Sequence, residues 1–215
     1  NSINIFLYEK SIRLKKLQKK NLFGKKVKWI DNFNNIKGGP VIFLGNEFFD
    51  AIPIKQYKQV HKILYERYVK LENSGEIKIL LRKTDLKTKK ELKKFNLINN
   101  QSFVEFPKQG IKELDLITSA IKKLNGGLLL IDYGFLKQGS GNTLQSVKNH
   151  KKNMLFKNIG DADITSLVNF NLLKTYFKSK NIRTNNVVTQ EFFLKRMGII
   201  NRAEILSEKI SFQEK

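Results

Sequence analysis

An amide and two carboxylates fall where an apolar run ends. In "GPVIFLGNEFFDAIP", residues 39–53, the stretch 41–44 gives way at Gly45 to Asn46, Glu47 and Asp50, with Phe48 and Phe49 between them. An amide beside a carboxylate can align a cationic or amine-bearing substrate against an electrophile, where positioning supplies much of the rate. A guanidinium suits Glu47, because carboxylate and guanidinium pair in a planar, bidentate way. Asp50 and Asp132 add to an acidic mouth whose field favours cations despite the positive total charge. The competing reading is a solvated loop with Asn and Asp as turn formers. Phe48 and Phe49 read as core and rim packing rather than a cation cage.

Two further acids occupy comparable positions. Glu9 follows the apolar run 3–8, and one carboxylate after such a strand can accept both hydroxyls of a ribose. An acid favoured by the macrodipole of the next helix fits equally well. Asp31 ends the short run 27–30, placed to contact an adenine amino group or to serve as a turn residue.

These positions need elements to hold them. Residues 3–8 read as a buried strand, and Ser11 caps a helix with Ile12, Leu14, Leu17 and Leu22 on its apolar face. Residues 27–30 and 41–44 are the next strands. From 55 to 82 the pattern changes to alternation, which predicts an antiparallel meander with a hairpin turn at "NSG", residues 73–75, inserted over the strand ends. "TDLKTKKELKKF" is a polar helix or surface loop. Residues 110–124 form an amphipathic helix carrying Leu114, Ile117, Ile121 and Leu124, stopped by Gly126 and Gly127. The strand "GLLLIDYG" follows, with Asp132 at its end. Acids at successive strand ends predict a parallel α/β sheet with a site along one rim. Beyond it, Asp163 and Thr165 are expected near the start of a helix, then a strand and a final helix. The expected division is 1–54 for the first part of the core, 55–83 for the insertion and 84–215 for the remainder.

Bulk composition excludes several chemistries. The 215 residues suit one α/β domain with a small insertion, and the lack of Cys removes disulfides, thiolate metal sites and cysteine nucleophiles. With His61 and His150 as the only imidazoles, no metal site is expected, and His150 is expected to be structural. The formal charge of +22 comes almost wholly from Lys, Arg13, Arg67, Arg82, Arg183, Arg196 and Arg202 being the only Arg. Specific nucleic-acid recognition, which draws on the Arg fork, is not expected. The apolar runs are too short to span a bilayer as a helix, so no membrane insertion is expected.

The blocks "LYEKSIRLKKLQKKNL", "VKWID", "GNEFFDAIPIKQY", "LLLIDYG", "NTLQSVKNHKKNMLFKNIGDADITSLVNF" and "TQEFFLKRMGIINRAEIL", in this order, resemble the MidA-type methyltransferases. That family includes a mitochondrial complex I assembly factor and bacterial relatives. The resemblance implies a class I methyltransferase (Rossmann-like) sheet, S-adenosyl-L-methionine as methyl donor, and a protein substrate with a target arginine, a complex I subunit for the mitochondrial member. It implies that Glu9, Asp31 and Asn46 bind the cofactor, that Glu47 and Asp50 are catalytic, and that Asp132, Tyr133 and Asp163 border the acceptor. Bacterial cytoplasm or mitochondrial matrix is the implied location, and a homo-oligomer is a further expectation.

Two departures stand out. Asn169 gives "VNF" where the family has an Asp-containing "VDF". The family's first strand and Gly-rich loop have no counterpart here, since "GGP" at 38–40 and "GSG" at 139–141 neither follow a buried strand nor open a helix. That strand belongs between the strands at 3–8 and 41–44. Its absence leaves two edges short of hydrogen bonds worth about 1 kcal/mol each, so either the strands close up or the chain is part of a longer one. A non-catalytic assembly protein that has lost cofactor binding is the alternative function, and a basic RNA-associated protein has only charge behind it.

Overall fold

The structure, a computed structural model, describes residues 3–98, 102–137 and 141–208. β1 (Ile5–Tyr8) and β2 (Val27–Ile30) are parallel, joined through α1 (Ile12–Asn21). The Ser11 hydroxyl accepts the Leu14 N–H at the start of α1, and Lys19 and Lys20 occupy its last turn, both favourable at those ends. Period-two alternation splits β2. Trp29 faces α1, its indole N–H donating to Gln18 Oε1 at 3.0 Å, while Ile30 is buried on the other side.

β3 (Ile42–Asn46) leads into β4 (Lys55–Val60), β5 (Ile63–Leu71), β6 (Ile77–Lys83), α2 (Leu86–Lys94), β7 (Phe103–Phe106) and α3 (Lys108–Leu124). β8 (Gly127–Ile131) then pairs with β3 in parallel, Ile42 opposite Gly127 and Asn46 opposite Ile131. The Gly127 N–H donates to Val41 O and the Glu47 N–H to Ile131 O. The main-chain groups of Ile42 and Leu44 therefore point away from β8.

Among the described residues β1 and β3 do not pair, and the core sheet is two parallel ribbons, β1-β2 and β3-β8. The strands have not closed up. Both ribbons rest on α3: Ile30, Phe33, Ile36, Ile117, Ala120 and Ile121 form one buried cluster, joined by Phe6 and Tyr8 from β1 and Val41 and Phe43 from β3. Phe33 touches both strands, at 4.6 Å from the Tyr8 ring and 5.2 Å from that of Phe43. The opposite face carries α1, as right-handed crossovers leading outward in opposite directions require. That face is largely open, with Ile42 and Leu44 each 75% exposed.

The meander forms as alternation predicts, in the order β6-β5-β4-β7. β7 was not anticipated, and it carries this sheet past residue 83 to residue 106. His61 and Lys62 make the two-residue turn between β4 and β5 with positive φ at both positions, the geometry that matches strand twist. The "NSG" turn has Gly75 at φ +82. "TDLKTKKELKKF" is a helix: Asp85 caps α2 through the Thr88 N–H, and Leu92 is fully buried. A second cluster joins α2, the meander, α3 and α4 through Phe49, Tyr57, Leu92, Phe106, Leu114 and Tyr176.

The remainder comprises β9 (Gly134–Phe135), β10 (Gln145–Lys148), β11 (Lys151–Asn153), β12 (Asp163–Thr165), β13 (Val168–Asn169), α4 (Phe170–Ser179), α5 (Gln190–Arg196) and α6 (Ile199–Ser207). Asp163 and Thr165 lie in a strand antiparallel to β10, not at a helix start. The helix begins at α4, where Asn169 accepts the Leu172 N–H; an Asn serves this cap as well as the family's Asp. The strand expected before the last helix is absent among the described residues, and Gly198, at φ +84, divides that helix into α5 and α6. His150 lies with Asn149 in the β10-β11 turn, both at positive φ. Gly139 and Ser140 of "GSG" lie outside the described residues.

Candidate functional site

α3 shows which strand ends lie together. At its start, Gly110 packs so tightly against Phe49 that an added Cβ would sit 2.8 Å from the ring; at its far end, an added Cβ at Gly39 would sit closer still to the Leu124 carbonyl oxygen. β3 therefore runs with its carboxyl end at the N-terminal end of α3. Tyr8 and Lys10 reach the same end, both bonding to Glu113 in the second turn of α3. Because β2 is parallel to β1 and β8 to β3, Glu9, Asp31, Glu47 and Asp132 all follow strand ends along one side of the molecule. Such a rim is where ligands bind in open α/β sheets.

The loop after β3 is held from both sides. Asn46 is the last residue of the strand, and Glu47 has φ +47, a left-handed conformation uncommon for a residue with a side chain. Both side chains are exposed. Phe49 is buried and meets Phe48 edge-on at 5.3 Å. Asp132 Oδ2 accepts the N–H groups of Phe48, Phe49 and Asp50 at 3.1, 2.8 and 3.3 Å, and Oδ1 accepts the Tyr133 N–H at 2.9 Å. These bonds tie Asp132 to the main chain of the loop: three donors fill Oδ2, while Oδ1 keeps a lone pair beyond the Tyr133 N–H.

Asp50 is 8% exposed, and its Oδ1 is buried with no hydrogen-bond partner. Burial pushes its carboxyl above the ordinary range, and the neighbouring charges of Asp132 and Glu47 push it further, against opposing main-chain hydrogen bonds. Burial raises Asp132 as well, opposed by its four N–H donors. The Asp50 carbonyl accepts the Ser166 N–H, and the Tyr133 carbonyl accepts that of Val168, so the segment around β13 is tied to the same place. Tyr133 itself is 62% exposed.

The other expected residues are more separate. Glu9 Oε1 accepts the Ser11 N–H at 2.8 Å and Oε2 accepts from Gln18 at 3.2 Å, so the helix-start reading of this acid describes its contacts. Each oxygen keeps a further lone pair, which fits the two hydroxyls of a ribose. Asp31 pairs with Lys15 at 2.6 Å, its side chain 82% exposed. Asp163 is exposed in β12, opposite Val147 and shortly before Ser166, whose N–H donates to the Asp50 carbonyl.

Sequence reasoning missed two carboxylates. Glu113 is buried on α3, where only its position on the apolar side of the helix pattern could have marked it. Glu105 on β7 accepts from Gln56 Nε2 at 2.7 Å and from both the N–H and hydroxyl of Thr143, bracing the 142–144 segment against the meander. A cavity of about 680 Å³ runs along the other edge of β8, walled by Leu128, Phe135, Leu173, Phe177 and Phe193. It reaches the rim only at Asp132, and the convergence of carboxylates rather than this cavity marks the candidate site.

Residues 1–188 match the sequence family described as "Putative S-adenosyl-L-methionine-dependent methyltransferase". The protein arginine methyltransferase NDUFAF7 homolog, mitochondrial, of Caenorhabditis elegans is 31% identical over 207 residues, covering 94% of this chain and 48% of that protein. Its Danio rerio counterpart is 26% identical over 185 residues, covering 85% and 43%. The chain thus spans about half the length of the curated relatives it matches. Among solved structures, a Burkholderia thailandensis protein bound to S-adenosyl-homocysteine superposes with a TM-score of 0.65 at 18% identity, over 82% of this chain and 49% of that one. A native crystal structure from the same organism gives 0.66 over 83% and 50%. The α/β fold is shared with these structures, and by its sequence match the chain belongs to the family of S-adenosyl-L-methionine-dependent methyltransferases.

Proposed function

We propose that the chain carries the donor and acceptor rim of a protein arginine methyltransferase. The observation behind this reading is the loop at the end of β3, which presents exposed Glu47 above buried Asp50, beside the ends of β1 and β8. Relatives named as protein arginine methyltransferases support the acceptor class. Bound S-adenosyl-L-methionine supplies an electrophilic methyl group. Glu9 would hold its ribose hydroxyls, Asp31 its adenine and Asn46 its methionine end. Glu47 takes two guanidinium N–H groups in a bidentate pair and orients the remaining nitrogen. The proton that the guanidinium gives up goes to a carboxylate of this loop, Glu47 or Asp50. Tyr133 and Asp163 flank the approach of the acceptor protein. A mitochondrial matrix or bacterial cytoplasmic setting, with a complex I subunit as acceptor in the former, completes the proposal.

Glu47→Gln tests it. The variant should lower methyl transfer to an arginine peptide by about 100-fold while the donor's Kd stays within about twofold. Equal loss of both would count against the role given to Glu47. A second reading, a non-catalytic assembly protein that keeps the acceptor-facing acids, differs from the first in donor binding. Calorimetry separates the two: binding of S-adenosyl-L-methionine with a Kd on the order of micromolar retires the assembly-only reading.

A further inference from the structure

We propose that Asp132 is a positioning residue, a strut that fixes the backbone of the β3 loop so that Glu47 and Asp50 are presented together, without touching the acceptor itself. The proposal rests on the methyl-transfer reading above for its kinetic consequence, and on geometry for its substance. Oδ2 gathers the N–H groups of three consecutive residues, Phe48, Phe49 and Asp50, within 3.3 Å. Three successive donors converge on one atom only if the chain curls tightly, and the curl begins at Glu47 with φ +47. A charged acceptor stabilises a concave run of main-chain N–H groups that nothing neutral would hold as well.

The chemistry of the side chain is specific. A carboxylate offers two oxygens and no donor hydrogen, and both are used, Oδ1 by the Tyr133 N–H at 2.9 Å. An Asn of the same shape must turn its NH₂ toward either Tyr133 or the three loop amides, setting donor against donor. The strut also lies between two main-chain ties, Ser166 N–H to Asp50 O and Val168 N–H to Tyr133 O. The sequence blocks "NEFFDAIP", "LLLIDYG" and "DITSLVNF", far apart in the chain, thus meet around this one carboxylate.

The test compares Asp132→Asn with the unaltered protein in two measurements. In steady-state transfer from S-adenosyl-L-methionine to an arginine peptide, kcat should fall about 100-fold, the loss expected of a misplaced catalytic group, with peptide KM and donor Kd within about threefold. A raised KM with kcat intact would overturn the proposal, since that marks a residue binding the acceptor. A lowered Tm with kcat intact below melting would overturn it too, as the mark of a purely structural role. Hydrogen exchange supplies a readout that needs no activity: the amides of Phe48, Phe49 and Asp50 should exchange at least about tenfold faster in the variant while those of α3 keep their protection. Unchanged exchange at the three amides overturns the strut. If the unaltered protein transfers no methyl group to arginine, the functional reading falls and the exchange result still decides the role of Asp132.

Discussion

Asp50 keeps a carboxylate oxygen out of water without a partner, an arrangement that costs stability wherever the group is ionised. Its folded pKa is raised above the ordinary 3.8 by burial first and then by Asp132 and Glu47. The folded state therefore holds the proton more tightly than the unfolded one, and stability falls as pH rises from below the ordinary value through the raised one. Asp50→Asn should raise Tm at pH 7 by about 4 °C or more, with the gain vanishing near pH 3; scanning calorimetry at both pH values checks this. An equal gain at both would mean that charge burial is not the cause. Asp132→Asn should lower Tm at pH 7, because that carboxylate has four donors to lose. Glu9, Glu47 and Asp132 were legible as strand-end acids, because a run of apolar residues closed by a carboxylate is a local pattern. What Asp132 does there was not legible. Its loop partners lie 82 to 84 positions earlier in the chain, and nothing local distinguishes an acid that faces a ligand from one that holds a backbone.

Elements built on local periodicity followed from the sequence, and those built on distant pairing did not. Alternation gave β4, β5 and β6, and the 3.6-residue spacing of Leu114, Ile117 and Ile121 gave α3. β7 has four residues, and its place is set by pairing Val104 with Tyr57 and Phe106 with Lys55. β12 exists because Ile164 meets Ser146; read alone, Asp163 and Thr165 look like helix-start residues, while the cap in use is Asn169. α2 was ambiguous because its surface is mostly Lys and one fully buried Leu92 anchors it. Leu92→Ala should cost about 2–5 kcal/mol by leaving a cavity in the cluster with Tyr57 and Phe106, measured by denaturant unfolding; a loss below 0.5 kcal/mol on that same scale would show that α2 does not seat in the core. Glu105→Ala should cost about 1.5–3 kcal/mol and raise hydrogen exchange at Thr143 and Leu144. A loss without faster exchange there would remove Glu105 from its bracing role.

At the scale of the whole molecule, the gap between β1 and β3 governs behaviour. Among the described residues the two ribbons stay unpaired rather than closing up. The face opposite α3 consequently exposes Ile5, Ile42 and Leu44 beside Leu14 and Leu17 of α1, an apolar surface bordered by free strand edges. Replacing both Ile42 and Leu44 by Lys should reduce self-association in light scattering by several-fold, with little change in far-ultraviolet circular dichroism. Unchanged association would place the sticky surface elsewhere. The charge of +22 opposes aggregation but does not shield this local patch. The central claim is that carboxylates at parallel strand ends form a donor-binding rim, and calorimetry of S-adenosyl-L-methionine with the unaltered protein and Glu9→Gln tests it most directly. The variant keeps an acceptor for the Ser11 N–H while replacing the other carboxylate oxygen with an NH₂. The account predicts a Kd on the order of micromolar, weakened about tenfold or more by the substitution; equal affinities in the two proteins, or no binding to either, would contradict it.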